Sequence, residues 1–213
     1  MKKYLIIALL IFLVGACSKK PDPSPVTYHK KGNLYENNYF GFTVEKPEGW
    51  YARDVKESLF LQQHKKAPSG KTDEREMKAA VQEAIEKTLP LFSFFEFRHG
   101  SQLKVNPSVL SVAQNMKNFP EAKTACDYLK HVIAVLERGQ IAYTFDQNCE
   151  TSTFNGREYD TVNAYAKVGK DIVYQRYYAT ISGKHAISII VNYFNDETKM
   201  IVEKFMSSIK FKS

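Results

Sequence analysis

Glu150–Phe194, ETSTFNGREYDTVNAYAKVGKDIVYQRYYATISGKHAISIIVNYF, decides the fold. Three turn signals cut it into four strand-length runs. Asn155-Gly156, the strongest short hairpin signal, separates Glu150–Phe154 from Arg157–Val168. Gly169-Lys170-Asp171 then leads into Ile172–Ile181, and Ser182-Gly183 leads into His185–Phe194. In that last run Ile187, Ile189, Val191 and Tyr193 alternate with Ala186, Ser188, Ile190 and Asn192, the period of a strand with one face in a core. Strands joined by tight turns pair antiparallel, whereas parallel neighbours need long crossovers. A doubly wound parallel sheet is therefore excluded for this half.

Helical patterns lie on both sides of the meander. Downstream, Asp196 reads as the cap of a helix carrying Met200, Ile201, Phe205 and Ile209. Upstream, Asn118-Phe119-Pro120 opens a helix with Pro in the first turn, where its missing N–H does no harm. Cys126, Leu129, Ile133 and Leu136 share one face of it, and Gly139 ends it. Further back, Val109–Met116 and Leu91–Phe97 read as strands, the second apolar on both faces and so covered above and below. Asp73 with Glu76 resembles a capping box; Met77, Ala80, Val81, Ala84, Ile85 and Leu89 then follow at helical spacing. That predicts an amphipathic helix over 73–89, stopped by Pro90, after an exposed basic loop over 62–72. Phe40–Glu45 is a strand that Pro47-Glu48-Gly49 turns, with Trp50 as a core anchor at the corner. Separated helices around an antiparallel meander predict an α+β fold, an antiparallel sheet flanked by helices in an α/β/α sandwich.

The start of the chain says where the protein lives. Lys2 and Lys3 precede an apolar run from Leu5 to Val14, and Gly15-Ala16 sit just before Cys17. This is the layout of a cleavable signal peptide and resembles the lipobox of bacterial lipoproteins. The run is too short to span a bilayer, which takes about 20 apolar residues. The expectation is a signal peptide over 1–16, then a lipid-bearing Cys17 and a proline-punctuated tether over 17–37. A single domain over 38–213 follows. Ser18, rather than Asp, follows the cysteine. By analogy with sorting in Gram-negative cells, that points to the outer membrane, facing the periplasm. In a Gram-positive cell it would mean the outer face of the only membrane. The formal charge of +7 falls to about +5 once Lys2 and Lys3 leave. The excess is spread along the chain, with no aromatic-plus-basic motif of a nucleic-acid reader, and nucleic acid is set aside.

Two cysteines remain, Cys126 and Cys149. An even pair in an oxidising compartment suits a disulfide; two buried thiols packed as small hydrophobes are the alternative.

Tyr39-Phe40-Gly41-Phe42-Thr43-Val44 followed by Pro47-Glu48-Gly49-Trp50 resembles the opening of the PsbP-like superfamily, which includes envelope lipoproteins of the DcrB type. The hairpins over Gly156–Ile189 and the close at Ser208-Ile209-Lys210-Phe211 are similar to that family's as well. The resemblance implies an antiparallel sheet with helices on both faces, a role in binding or assembling other proteins, and no catalytic residues. Residues 56–90 fit it least.

Catalytic signatures are missing from the sequence itself. His29, His64, His99, His131 and His185 form no HExxH and have no His or Cys four residues away. There is no GxSxG elbow and no phosphate-cradling glycine loop. Glu158, Asp160 and Asp171 lie around one hairpin, and an enzyme would need His99 or His185 to meet Asp160 or Asp171. Neither a cofactor nor a metal site is expected. Tyr165, Tyr174, Tyr177, Tyr178 and Tyr193 crowd the last sheet, where packing favours tyrosine, although tyrosine also serves interfaces. The reading is a non-catalytic, lipid-anchored envelope protein acting as a protein-binding or assembly module. Its partners are the membrane, through the lipid on Cys17, and an unidentified envelope protein. A small-ligand or lipid carrier, or a hydrolase, stays open. An exposed aromatic patch would favour the binding module, and a tightly filled core around Trp50 and Phe94 would count against a carrier.

Overall fold

The computed structural model describes residues 28–54, 88–98, 106–137, 142–146 and 148–212. Its elements begin with β1 (Tyr28–Lys31), β2 (Leu34–Asn37), β3 (Phe42–Glu45) and β4 (Tyr51–Arg53). β5 (Thr88–Phe95) and β6 (Ser108–Asn115) lead through one 3-10 turn to helix α1 (Ala125–Leu136). Then come β7 (Tyr143–Phe145), β8 (Glu150–Phe154), β9 (Arg157–Val168), β10 (Asp171–Ser182) and β11 (His185–Tyr193). Helix α2 (Asp196–Ser208) and β12 (Lys210–Phe211) follow. Two α-helices against twelve strands among the described residues make the fold mostly β. Signal peptide, Cys17, the loop over 62–72 and the body of the expected 73–89 helix lie outside the described residues.

The strands form two antiparallel sheets. The larger runs β4-β5-β6-β11-β10-β9-β7, with β8 also on β9; the smaller runs β1-β2-β3-β12. The meander behaves as its turns dictate. Asn155 and Gly156 both take positive φ, 49° and 75°, the pairing a tight two-residue hairpin requires.

Side-chain alternation divides the interior in two. Tyr178, Ile187, Ile189 and Val191 pack in one core with Phe42 and Val44 of the small sheet and with Val202, Phe205 and Met206 of α2. Tyr177, Ala179 and Ala186 point the other way, into a core with Tyr128 and Leu129 of α1. One face of the large sheet is thus covered by α2 together with a second sheet, and the other by α1. β11 is buried on both sides rather than one because it sits at the centre. Its buried Ser188 accepts at its carbonyl from Ser111 Oγ (3.0 Å), and Asn192 donates to Ser108 Oγ (2.9 Å), so these polar groups are buried with partners. Trp50 and Phe94 are buried, and the Phe92 and Phe94 rings stack at 5.1 Å. The core there is filled, and each such side chain contributes about 1.5–3 kcal/mol of burial.

Several boundaries differ from expectation. The tether expected to run to residue 37 ends before β1. Residues 28–37 form the β1–β2 hairpin, because Tyr35 packs edge-on to Phe94 at 5.0 Å and buried Asn37 accepts from the Phe40 N–H. Leu89 and Pro90 belong to β5 rather than to a helix end. The β5–β6 register shifts between Pro90 and Phe92, the local bulge that a residue without an N–H invites. Helix α1 starts at Ala125, not near Pro120, since Thr124 and Asp127 form a reciprocal capping box there that satisfies two orphan N–H groups. Asn195, not Asp196, caps α2 through a box with Thr198. The short edge strand β7 was not expected.

Cys126, in the first turn of α1, is joined to Cys149, just before β8, with their Cα atoms 6.0 Å apart. Asp160 of β9 reinforces the tie by accepting from the Cys126 N–H at 2.8 Å. Closing this loop is expected to contribute about 3 kcal/mol by the chain-entropy estimate. Urea unfolding of Cys126→Ser/Cys149→Ser against the oxidised protein should show that loss.

Asn155 has a second task. Its Nδ2 donates to the Ser207 and Ile209 carbonyls at 2.8 and 2.7 Å, fastening the β8–β9 turn to the end of α2. Asn155→Gly keeps the turn conformation but removes both bonds, and should cost about 1–3 kcal/mol in denaturant titrations. Asn155→Asp should cost more, since a carboxylate would face two carbonyl oxygens.

Candidate functional site

Counting from the turn where Val168 meets Asp171, the β9–β10 register places Tyr165 opposite Tyr174. The β10–β11 register then places Tyr174 opposite Tyr193. Three tyrosines stand in a row on the α2 face. The Tyr174 and Tyr193 rings stack at 5.5 Å with an interplanar angle of 14°. Tyr165 and Tyr174 remain 46% and 39% exposed, and Ile172 one step towards the turn is 46% exposed. The row is open because of where α2 runs. Its far end is fastened beside Asn155, so it covers the other half of β10, which is exposed at its start and buried from Tyr177 to Thr180.

Arg176 follows Tyr174 on the same face. Its Nη2 donates to Glu150 Oε2 at 3.1 Å, and its guanidinium lies 5.4 Å from the centre of the Tyr178 ring. Its Nε is buried without a hydrogen bond. Arg176 forms the floor of an open groove of about 470 Å³ between α2 and β8–β10, walled by Phe154, Tyr178, Met200 and Lys204. Met200 is 63% exposed. Burial pushes the Tyr178 and Tyr193 hydroxyls above the ordinary tyrosine range, with the Arg176 charge working against it. Aromatic rings, Arg and Met are the residue types enriched in protein interfaces. A second groove, about 770 Å³, lies between α2 and the small sheet, with Leu34, Pro47, Ile201 and Phe205 beside Lys46 and Lys210.

The sequence-nominated residues distribute unevenly. Tyr177 and Tyr178 point to opposite faces and are both buried, so neither ring stands out from the surface as those of Tyr165 and Tyr174 do. Glu158 and Asp160 share a face of β9, but Asp171 sits eight residues further along at the other end of the hairpin, about 26 Å away at the rise of a strand. The three acids therefore do not gather. His185 lies two strands across and three residues along from Asp160, which keeps their backbones about 14 Å apart. Asp160 is occupied in holding the start of α1, and His185 is packed against the rings of Tyr39 and Phe40 at 6.1 and 5.3 Å. His131 is exposed on α1 beside Phe119. His64 and His99 lie outside the described residues, and of His29 only the backbone in β1 is described. Among the described residues no three His, Cys, Asp or Glu side chains are grouped to hold a metal, and no helix is long and apolar enough to cross a membrane.

Sequence reasoning found the tyrosines but missed Arg176, Glu150, Ile172 and Met200. A signal was present: Ile172, Tyr174, Arg176 and Tyr178 fall on one face at every second residue, and counting back from Gly169 pairs them.

This arrangement of sheets and helices can be compared with solved structures. The solution structure of cyanobacterial PsbP (CyanoP) from Synechocystis sp. PCC 6803 superposes with a TM-score of 0.51 at 14% identity, covering 93% of this chain and 99% of that one. The crystal structure of LpqN, involved in cell envelope biogenesis of Mycobacterium tuberculosis, gives 0.41 at 7% identity, covering 81% and 83%. No protein-family model and no curated protein sequence matches the chain. The first likeness shows a PsbP-like fold, and it is the fold alone that it shows.

His185 supplies a pH test of the packing. Burial holds its imidazole below the ordinary histidine value of 6.5, so the unfolded chain binds the proton more readily. The stability it contributes is complete above pH about 6.5 and falls as pH drops towards the lowered value. Thermal unfolding between pH 5 and 7 should show this loss, and His185→Phe should flatten it.

Proposed function

We propose that this protein is a non-catalytic, lipid-anchored envelope module that binds another envelope protein through the Tyr165–Tyr174–Tyr193 row and the Arg176 groove. Residues 1–16 act as a signal peptide and Cys17 carries the lipid. The tether is shorter than its sequence suggests. From Cys17 to Tyr28 the chain reaches at most about 40 Å, so the domain works close to its membrane. Beyond the tether the chain is one PsbP-like α+β domain, an α/β/α sandwich whose α2 layer is shared with the small sheet. Ser18 favours the outer membrane, facing the periplasm, and the Cys126–Cys149 bridge suits such an oxidising compartment.

The observation that carries the reading is the tyrosine row, exposed at Tyr165 and Tyr174 of the β9–β10 hairpin and backed by half-buried Tyr193 of β11. Rigid aromatic side chains bury large area at little cost in rotamer freedom. Confinement by the lipid raises the effective concentration of a membrane-held partner without new contacts. The filled core around Trp50 and Phe94 speaks against a carrier with an internal pocket. The groove between α2 and the small sheet is the feature that favours surface carriage of a small amphipathic ligand.

The test is photo-crosslinking in living cells from Tyr165 and Tyr174, read by mass spectrometry. One envelope protein should recur at both positions, and Cys17→Ala should sharply reduce its yield. With that partner in hand, Tyr174→Ala should weaken binding by about 2 kcal/mol, as loss of an interface anchor does, while lowering stability only by the roughly 0.5–1.5 kcal/mol of one aromatic pair. No adduct from either position in folded protein would overturn the docking reading and turn attention to the second groove.

A further inference from the structure

Arg176 holds an unfinished contact. A guanidinium presents Nε–H and one Nη–H as a parallel pair that matches the two oxygens of a carboxylate. Here Glu150 engages only Nη2, through one oxygen, while Nε is buried without an acceptor. Buried donors left in that state are uncommon in folded proteins. The Glu150 side chain is 64% exposed against 26% for Arg176, so the acid is the loosely held member of the pair. Its ion pair is easily displaced from outside, because exposed pairs are individually weak.

The surroundings narrow what could displace it. The groove walls beside Arg176 are apolar, from Phe154, Tyr178 and Met200, and Tyr174 of the tyrosine row precedes Arg176 by two residues on the same face of β10. Lys204 adds a second cation and Glu203 adds an acid. That balance suits one carboxylate with an apolar neighbour and opposes a run of acids.

Building on the docking reading above, we propose that the groove receives an acidic side chain of the partner protein, an Asp or Glu flanked by an apolar residue. Its carboxylate takes Arg176 Nε–H and Nη2–H together and releases Glu150 to solvent. The apolar neighbour lies against Met200 and Phe154. Glu150 is then an internal competitor that holds the site in the absence of partner. Its removal strengthens binding, whereas loss of the Arg176 fork weakens it.

The experiment uses the full chain in lipid nanodiscs and a phage-displayed library of random 12-residue peptides. Selected peptides should carry Asp or Glu beside a large apolar residue. Changing that acid to its amide should weaken binding about tenfold or more, as loss of a charge-assisted fork does. Arg176→Lys, which keeps the charge and loses the fork, should weaken the same peptides comparably. Glu150→Gln should tighten them about threefold, by removing the competitor. Peptides that bind independently of any acid yet are lost in Tyr174→Ala would overturn the acidic-anchor inference and leave the docking surface standing. Binding that withstands both Arg176→Lys and Tyr174→Ala would overturn the two together. Weaker binding in Glu150→Gln would show that Glu150 is a contact and not a competitor.

Discussion

The register of the β9–β10 hairpin is the constraint on which the rest of the molecule depends. Pairing Val168 with Asp171 determines which of two adjacent tyrosines enters which core: Tyr178 under α2, Tyr177 under α1. A slip of one residue would exchange the faces of the whole strand. Arg176 would then point towards α1, Tyr174 would leave its stack on Tyr193, and small Ala179 would meet the wrong helix. The same alternation in β9 aims Asp160 at the start of α1 while Tyr159 enters the opposite core. One geometric choice at a glycine turn therefore positions both helices and the exposed aromatic row.

Much of this was legible because turns and alternation are local. The meander from Glu150 to Tyr193, the closing helix and the two upstream strands follow from residue periods that neighbours within a few positions establish. Failures occurred where the deciding partner lies far away in sequence. Residues 28–37 look like a proline-rich tether running on, and only packing of Tyr35 on Phe94 makes a hairpin of them. Pro90 looks like a helix stop, but a neighbouring strand absorbs it as a bulge. The start of α1 was misplaced for the opposite reason. Thr124 and Asp127 carry a local capping signal, and Pro120 four residues earlier offers a competing one.

The candidate surface was half readable. Tyrosines were visible as a crowd, but a crowd does not say which are buried. Exposure of Tyr165 and Tyr174 arises from the path of α2, set by Asn155 on a distant turn. The supposed acid cluster dissolved for a related reason: residues close to one hairpin in sequence lie at its two ends in space. What distinguishes the surface physically is contrast. Rigid strands, a filled core and a covalent tie at Cys126–Cys149 lie beneath a short stretch of hydroxylated rings and one incompletely paired cation.

The small sheet closes in a particular order. β3 pairs at its outer edge with β12, where Phe42 is matched with Phe211, and the Glu45 N–H of β3 donates to Ser208 Oγ at 3.2 Å, a residue far away in sequence. In a chain synthesised from its amino end, β1, β2 and β3 emerge early and must wait for a strand that follows the entire meander. Until residue 211 is released, one edge of that sheet and part of the aromatic core beneath it remain without their cover. Contacts so distant along the chain are slow to form. The small sheet of the nascent domain therefore stays open at that edge until nearly all of the chain has been made.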